Sequence, residues 1–171
     1  MITVNNAKGA ADIVRKIGET VRNADFRGMI GQSWVPRLSQ IHQGYFNRSA
    51  GPSGQRWEEW HFTDPSVMDH PTLEVSGTLR GSLTVGGAQN VARSSAHGLV
   101  WGTSVPYAKI HQEGARIVTG RALVSRDGRF YLPAGSVLNI PRREFVGLSD
   151  EAVGFFVEST ADFLIGLIEE N

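Results

Sequence analysis

At 171 residues the chain is long enough for one domain with a sizeable core and short for two. Its 17 basic and 17 acidic side chains cancel, so no overall field draws it to nucleic acid or to an anionic membrane, although local patches still count. There is no cysteine, which excludes disulfides, zinc–thiolate sites and thiol nucleophiles.

In chain order, Met1–Lys8 lacks a basic start followed by an apolar run, so no secretory leader is expected. No stretch approaches the roughly 18 apolar residues of a membrane span. A cytoplasmic soluble protein is the default expectation. Residues 8–24 read as an amphipathic helix, because Ala10, Ile13, Val14, Ile17 and Val21 recur at spacings of three and four. Gly28 and Gly31 mark 25–32 as a break. Ser33 is then the expected N-cap of a second helix over about 33–49, with Pro36 in its first turn and Trp34, Leu38, Ile41 and Tyr45 as its apolar stripe. Two such helices with a short connection predict a helical hairpin.

The Gly- and Pro-rich stretch 49–54 ends that helix. Trp57 and Trp60 suit one turn docked on a core edge, and 50–72 as a whole reads as an irregular loop. Ser76–Ser82 forms a single helical turn. Residues 82–102 read as a β-hairpin, turning near Gly86-Gly87 or just after, with Leu99-Val100-Trp101 as a buried strand. After Gly102–Gly114, a second hairpin over 115–136 is expected to project, its turn set by Asp127-Gly128. Val137, Leu138 and Ile140 add a short strand stopped by Pro141. Ser149 caps a long C-terminal helix over 149–169, with Asp150 and Glu151 placed where the helix dipole favours them. Its broad apolar face can pack on a sheet and still meet a neighbour. The order predicts a single α+β domain over 1–171. Two N-terminal helices and the long C-terminal one pack on a mainly antiparallel β-sheet.

Candidate chemistry is sparse. His111 and Glu113 are the nearest approach to a metal or hydrolase pair, but residues at i and i+2 share a face only in a strand, and no third ligand stands at local spacing. The plain alternative is that His111 hydrogen-bonds backbone near a chain reversal. Ser82 or Ser104 with His111 makes a nucleophile–base pair only on paper, without a nucleophile elbow. Glu58 and Glu59 are adjacent and point apart. Gly77-x-x-x-Gly81 lacks the Lys-Ser/Thr of a phosphate loop. Arg126, Arg129, Arg142 and Arg143 are small basic spots for a partner or for nucleic acid. Trp57 and Trp60 are candidate partner anchors, since aromatic side chains dominate interface hot spots. No catalytic residue, metal site or cofactor is assigned.

Four stretches together resemble one family. Gly51-Pro52-Ser53-Gly54-Gln55-Arg56-Trp57 resembles Gly-Pro-Asp-Gly-x-x-Trp. Ser76-Gly77-Thr78-Leu79-Arg80-Gly81-Ser82-Leu83 resembles Thr-Gly-x-Leu-x-x-Ser-Ile. Gly102-Thr103 through Tyr107-Ala108-x-Ile110-His111-Gln112-x-Gly114 is similar to Gly-Thr…Tyr-Ala-x-x-His-Gln-x-Gly. Ile140-Pro141-Arg142-Arg143-Glu144-Phe145-Val146-Gly147-Leu148-Ser149 is similar to Ile-Pro-Ala-Arg-Pro-Phe-Leu-Gly-Leu-Ser. In this order they are the motifs of the phage virion morphogenesis family, the tail-completion proteins of tailed phages and prophages. Arg142, Glu144 and Ser53 depart from the pattern and bear on local loop shape. The resemblance implies a non-enzymatic structural protein of tail completion and head–tail joining. It implies a homo-oligomer, in related neck proteins often a ring, bound to other tail or head-neck proteins, close to DNA and assembled in the bacterial host cytoplasm. It makes Gly102, Tyr107, His111, Gln112, Gly114, Pro141 and Phe145 structural motif residues. A nucleic-acid-contacting connector is the alternative, and a hydrolase built on His111 and Glu113 a further one.

Overall fold

The structure, a computed structural model, describes residues 7–59, 72–124 and 131–169. It is α+β, as expected. Helix α1 covers Ala7–Asn23. A short turn at 24–26 leads into α2, Arg27–Met29, then a π-helical turn, Ile30–Trp34, then α3, Val35–Arg48. The expected break over 25–32 is therefore only three residues long, and Ser33 lies inside a helix rather than capping one. Asp25 starts the second helix instead: its carboxylate accepts the Arg27 backbone N–H at 3.0 Å and the Arg27 side chain at 3.1 Å. The π turn sits where Pro36 requires it. Proline has no N–H to give and its ring presses on the carbonyl four residues back, and a locally widened helix relieves both.

Helix α3 leaves through Ser49 in the left-handed region, and Ala50 pairs with Arg56 across a tight loop. Residues 57–59 are not helical, so the expected turn at Trp57 does not form; Trp60 lies outside the described residues. A one-turn helix α4, Thr78–Gly81, stands where the sequence places it. Strands β1, Asn90–Ser95, and β2, Gly98–Thr103, form an antiparallel ribbon with Asn90 opposite Thr103 and Ser95 opposite Gly98. The turn is thus at Ala96-His97, and residues 82–89 make turns rather than a strand. Val100 is exposed, so that strand is only partly buried.

Helix α5, Ala108–Glu113, follows. Strand β3, Ala115–Val118, pairs with β6, Val137–Ile140; between them β4, Leu123–Val124, pairs with β5, Tyr131–Leu132. All ladders are antiparallel, but among the described residues they form three two-stranded ribbons rather than one sheet. The Asp127-Gly128 turn lies outside the described residues. Helix α6, Asp150–Glu169, is capped by Ser149, whose hydroxyl accepts the Ala152 N–H at 3.3 Å.

The core lies between α3, the 49–57 loop, α4, the β2–α5 junction and the irregular segment 141–149. Tyr45, Phe46, Trp57, Leu73, Leu79, Leu83, Val105, Ala108 and Phe145 form it, with Ile41, Trp101 and Val146 against its edge. The two N-terminal helices do not fold back on each other as a hairpin. Instead α1 lies along α6, Phe26 stacks on Phe163 at 5.2 Å, and the Phe26 N–H reaches Ala96 O at the tip of the first ribbon. Trp34 ties α6 down from the other side, its indole N–H donating to Ser159 Oγ at 2.9 Å and its ring meeting Phe156 at 5.0 Å.

Candidate functional site

All four sequence motifs contribute to this one core: Trp57 from the first, Leu79 and Leu83 from the second, Val105 and Ala108 from the third, Phe145 from the fourth. The fourth has no regular structure beyond Ile140, so its buried backbone needs partners from elsewhere. Side chains supply them. Gln112 Oε1 accepts the N–H of both Phe145 and Val146 at 3.0 Å, while its amide nitrogen donates to Val146 O at 2.8 Å. That set of one acceptor and one donor fixes the amide orientation. Tyr45 OH donates to Gly147 O at 3.2 Å, and Trp57 Nε1 donates to Glu144 O at 3.0 Å. The Arg143 N–H bonds His111 O at 2.7 Å.

His42 completes the set. Its Nδ1 lies 2.6 Å from Leu38 O, so Nδ1 carries the proton, and Nε2 accepts the Gly147 N–H at 3.5 Å. Burial pushes its pKa down, opposed by the bond to Leu38. Backbone approach is correspondingly close: a Cβ on Gly51 would stand 2.7 Å from Glu144 O. At Gly114, φ is +76° and a Cβ would lie 3.0 Å from Arg142 N, so the turn between α5 and β3 needs glycine twice over.

The expected interaction residues separate here. Arg143 is fully buried, at 0% exposure, with Nε donating to Glu58 O at 2.7 Å and Nη2 to Glu59 O at 3.4 Å. Burial lowers its pKa, countered by the Glu58 charge. Trp57 is interior as well. Neither presents its side chain to a partner or to nucleic acid, because each is used to hold the 143–145 segment against the 57–59 one. Arg142 is exposed and pairs with Glu144 at 3.0 Å, both of them positions where the motif is altered. Arg126 and Arg129 lie outside the described residues.

The candidate enzyme groups do not converge. On α5, Glu113 points outward to Lys109 at 3.9 Å, whereas His111 faces inward, its ring edge-on to Tyr107 at 6.0 Å. Burial and then the charge of Arg143 depress the His111 pKa. Ser82 is buried with its hydroxyl donating to Leu79 O at 2.7 Å, and Ser104 donates to Gln89 O. No group of three or more His, Asp or Glu with metal-binding geometry occurs among the described residues. Of the other motif residues, Gly102 sits in β2 opposite Val91, Tyr107 is exposed at the start of α5, and Pro141 ends β6.

Two features escape a reading of the sequence. Arg80 is a half-buried hub joining α4 to α3: it donates to both oxygens of Glu74 at 3.0 Å and to Gln43 Oε1 at 2.7 Å, and it reaches Asn47. The i, i+4 spacing of Gln43 and Asn47 is the signal that marks that face of α3. The second is α6. Rather than packing on a sheet, it buries only Ala152 completely, and it leaves Val153, Val157, Ile165 and Ile168 exposed. Beside Trp34 and Leu148 it lines an apolar groove of about 410 Å³ through Val153, Phe156, Val157 and Leu164. A helix this apolar on more than one face is ordinarily covered. No helix among the described residues is long and apolar enough to cross a membrane.

In comparison with known proteins, the model of the phage virion morphogenesis family aligns with residues 5–164. No curated protein and no solved structure matches.

Proposed function

The chain belongs to the phage virion morphogenesis family, and from that premise we propose that it is a non-enzymatic structural protein that completes the phage tail and joins it to the head. Membership implies a virion-associated, structural role. The finer reading is that the protein self-associates and binds other tail or head-neck proteins, and that it assembles in the cytoplasm of the bacterial host. The observation that carries it is α6, a 20-residue helix that leaves Val153, Val157, Ile165 and Ile168 exposed while the motif side chains are engaged inside the fold. Apolar surface of that extent favours a protein neighbour by roughly 25 cal/mol for each Å² removed from water.

Deletion of the gene in a virion-producing strain, followed by electron microscopy of the lysate, tests this. Separate heads and tails are expected, restored to joined particles by the wild-type chain. Normally joined particles from the deletion strain would overturn it.

A further inference from the structure

The apolar stripe of α6 has a counterpart in the same chain. Val14, Ile17 and Val21 of α1 recur at i, i+3 and i+7 and so share one face, yet all three are exposed, Val14 by 69%. The crevice between α1 and its own α6 is lined instead by Lys16, Thr20 and Asn23 on one side and Phe163 and Leu167 on the other. Each helix therefore turns an apolar stripe to solvent that the other does not cover within one molecule.

Charge separates the two stripes. The sequence of α6 holds five carboxylates and no cation, whereas that of α1 holds four cations against two carboxylates. On α6, Glu158 and Asp162 share a face with Ile165 and so edge the exposed stripe of Val153, Val157 and Ile165 on the side away from the groove; on α1 the stripe is edged by Arg15 and Arg22, with Arg15 shared with Asp12 and Glu19 at exposed positions. Seen from each helix's N-terminus, the acidic and the cationic edges fall on the same side of their stripes. Edges so placed meet when the two helices run antiparallel. Lengths agree too: at 1.5 Å per residue the α1 stripe spans about 10 Å, within the roughly 18 Å from Val153 to Ile165.

We propose that this exposed stripe of α6 packs on α1 of a second copy of this chain, antiparallel, with Arg15 and Arg22 along its acidic edge. The proposal rests on the self-association reading above and names the surfaces that serve it. An α6-on-α6 contact would oppose five carboxylates to five, which disfavours an isologous dimer. A contact between two different surfaces is heterologous, so it propagates from copy to copy, closing into a ring or running on as a filament according to the rotation it imposes.

Sedimentation of the full chain tests it, over a concentration range reaching several hundred micromolar. Wild type is expected to associate with increasing concentration. Val21→Glu places a carboxylate against the acidic edge, and Val157→Lys places a cation under the cationic one. Each alone should weaken association by about thirtyfold or more. Mixed, the two variants retain one intact pair of surfaces and should associate with each other more tightly than either does with itself. Reversing the edges gives an independent reading: Arg15→Glu with Arg22→Glu weakens association, and adding Glu158→Arg with Asp162→Arg restores it. All these positions are exposed, and unchanged circular dichroism checks the fold. Association lost in Val157→Lys but kept in Val21→Glu means α6 pairing with α6 and overturns the proposal. Association kept in every variant overturns it while leaving self-association standing. A wild type monomeric throughout, as when another virion protein covers this face of α6, overturns both.

Discussion

The segment 141–149 and helix α6 adjoin each other in sequence and obey opposite rules. The segment has no regular structure, yet Phe145 and Arg143 are buried and its backbone is bonded by Gln112, Tyr45, His42 and Trp57. Helix α6 satisfies its backbone internally and leaves Val153, Val157, Ile165 and Ile168 exposed. An irregular chain can be interior if side chains from elsewhere satisfy its amides and carbonyls; a regular one can stay outside because it needs none. Stability should therefore reside in the irregular segment, and association in the helix.

Truncating the segment's anchor is the strongest way to break that contrast. Phe145 is 1% exposed and touches Phe46 at 6.1 Å between ring centroids. Phe145→Ala is expected to cost about 3–5 kcal/mol, lost transfer energy plus a cavity, measured by urea unfolding. Next comes Gln112→Ala, which leaves two N–H groups and a carbonyl without their partner in a half-buried site. A loss of about 2–3 kcal/mol is expected in the same assay. A cost below about 0.5 kcal/mol would mean water replaces the amide and the segment is not held as described.

How much of this the sequence carries depends on the kind of partner involved. Helix α3 is legible from Leu38, Ile41 and Tyr45, because helical periodicity is local. His42 in the same helix is not, since it becomes an interior residue only through Leu38 O behind it and Gly147 across the core. Arg143 reads as a surface cation until the carbonyls of Glu58 and Glu59 arrive from 85 and 84 residues away. Gly86-Gly87 outweighs Ala96-His97 as a turn signal, yet the ribbon turns at the latter, where Ala96 O accepts the Phe26 N–H from a distant part of the chain. The breadth of the α6 face is plain in the sequence; which part of it the rest of the chain covers is not, since that depends on where α1 and Trp34 lie.

Acid probes the interior more gently than truncation. In the fold, burial holds the pKa of His42 below its ordinary value of 6.5, and the same holds for His111. Below about 6.5 the unfolded chain therefore binds protons that the folded one refuses. Stability is fully present above that pH and falls as pH drops from it towards the lowered folded value. The slope approaches at most about 1.4 kcal/mol per pH unit for each histidine. Unfolding at pH 7.5 and 5.5 measures this, and His42→Asn should flatten the pH dependence while lowering the plateau. A wild type equally stable at both values would mean that neither imidazole is held neutral.

The gentlest change sharpens the contrast from the other side. Val157 is 62% exposed on α6, and nothing in the core depends on it. Val157→Ser replaces the two methyl groups on Cβ with one hydroxyl, removes apolar surface and adds no charge. Its effect on urea unfolding should stay within about 0.5 kcal/mol, because surface substitutions away from caps and pairs seldom exceed that. Its effect on association should be larger than its effect on folding, since the methyl groups it removes are buried only when a neighbour is present. Phe145→Ala predicts the reverse order, a large loss of folding stability with the α6 surface unchanged. If Val157→Ser instead destabilises the monomer as much as it weakens association, α6 packs more tightly against its own chain than its exposure indicates, and the division between a segment that stabilises and a helix that assembles fails.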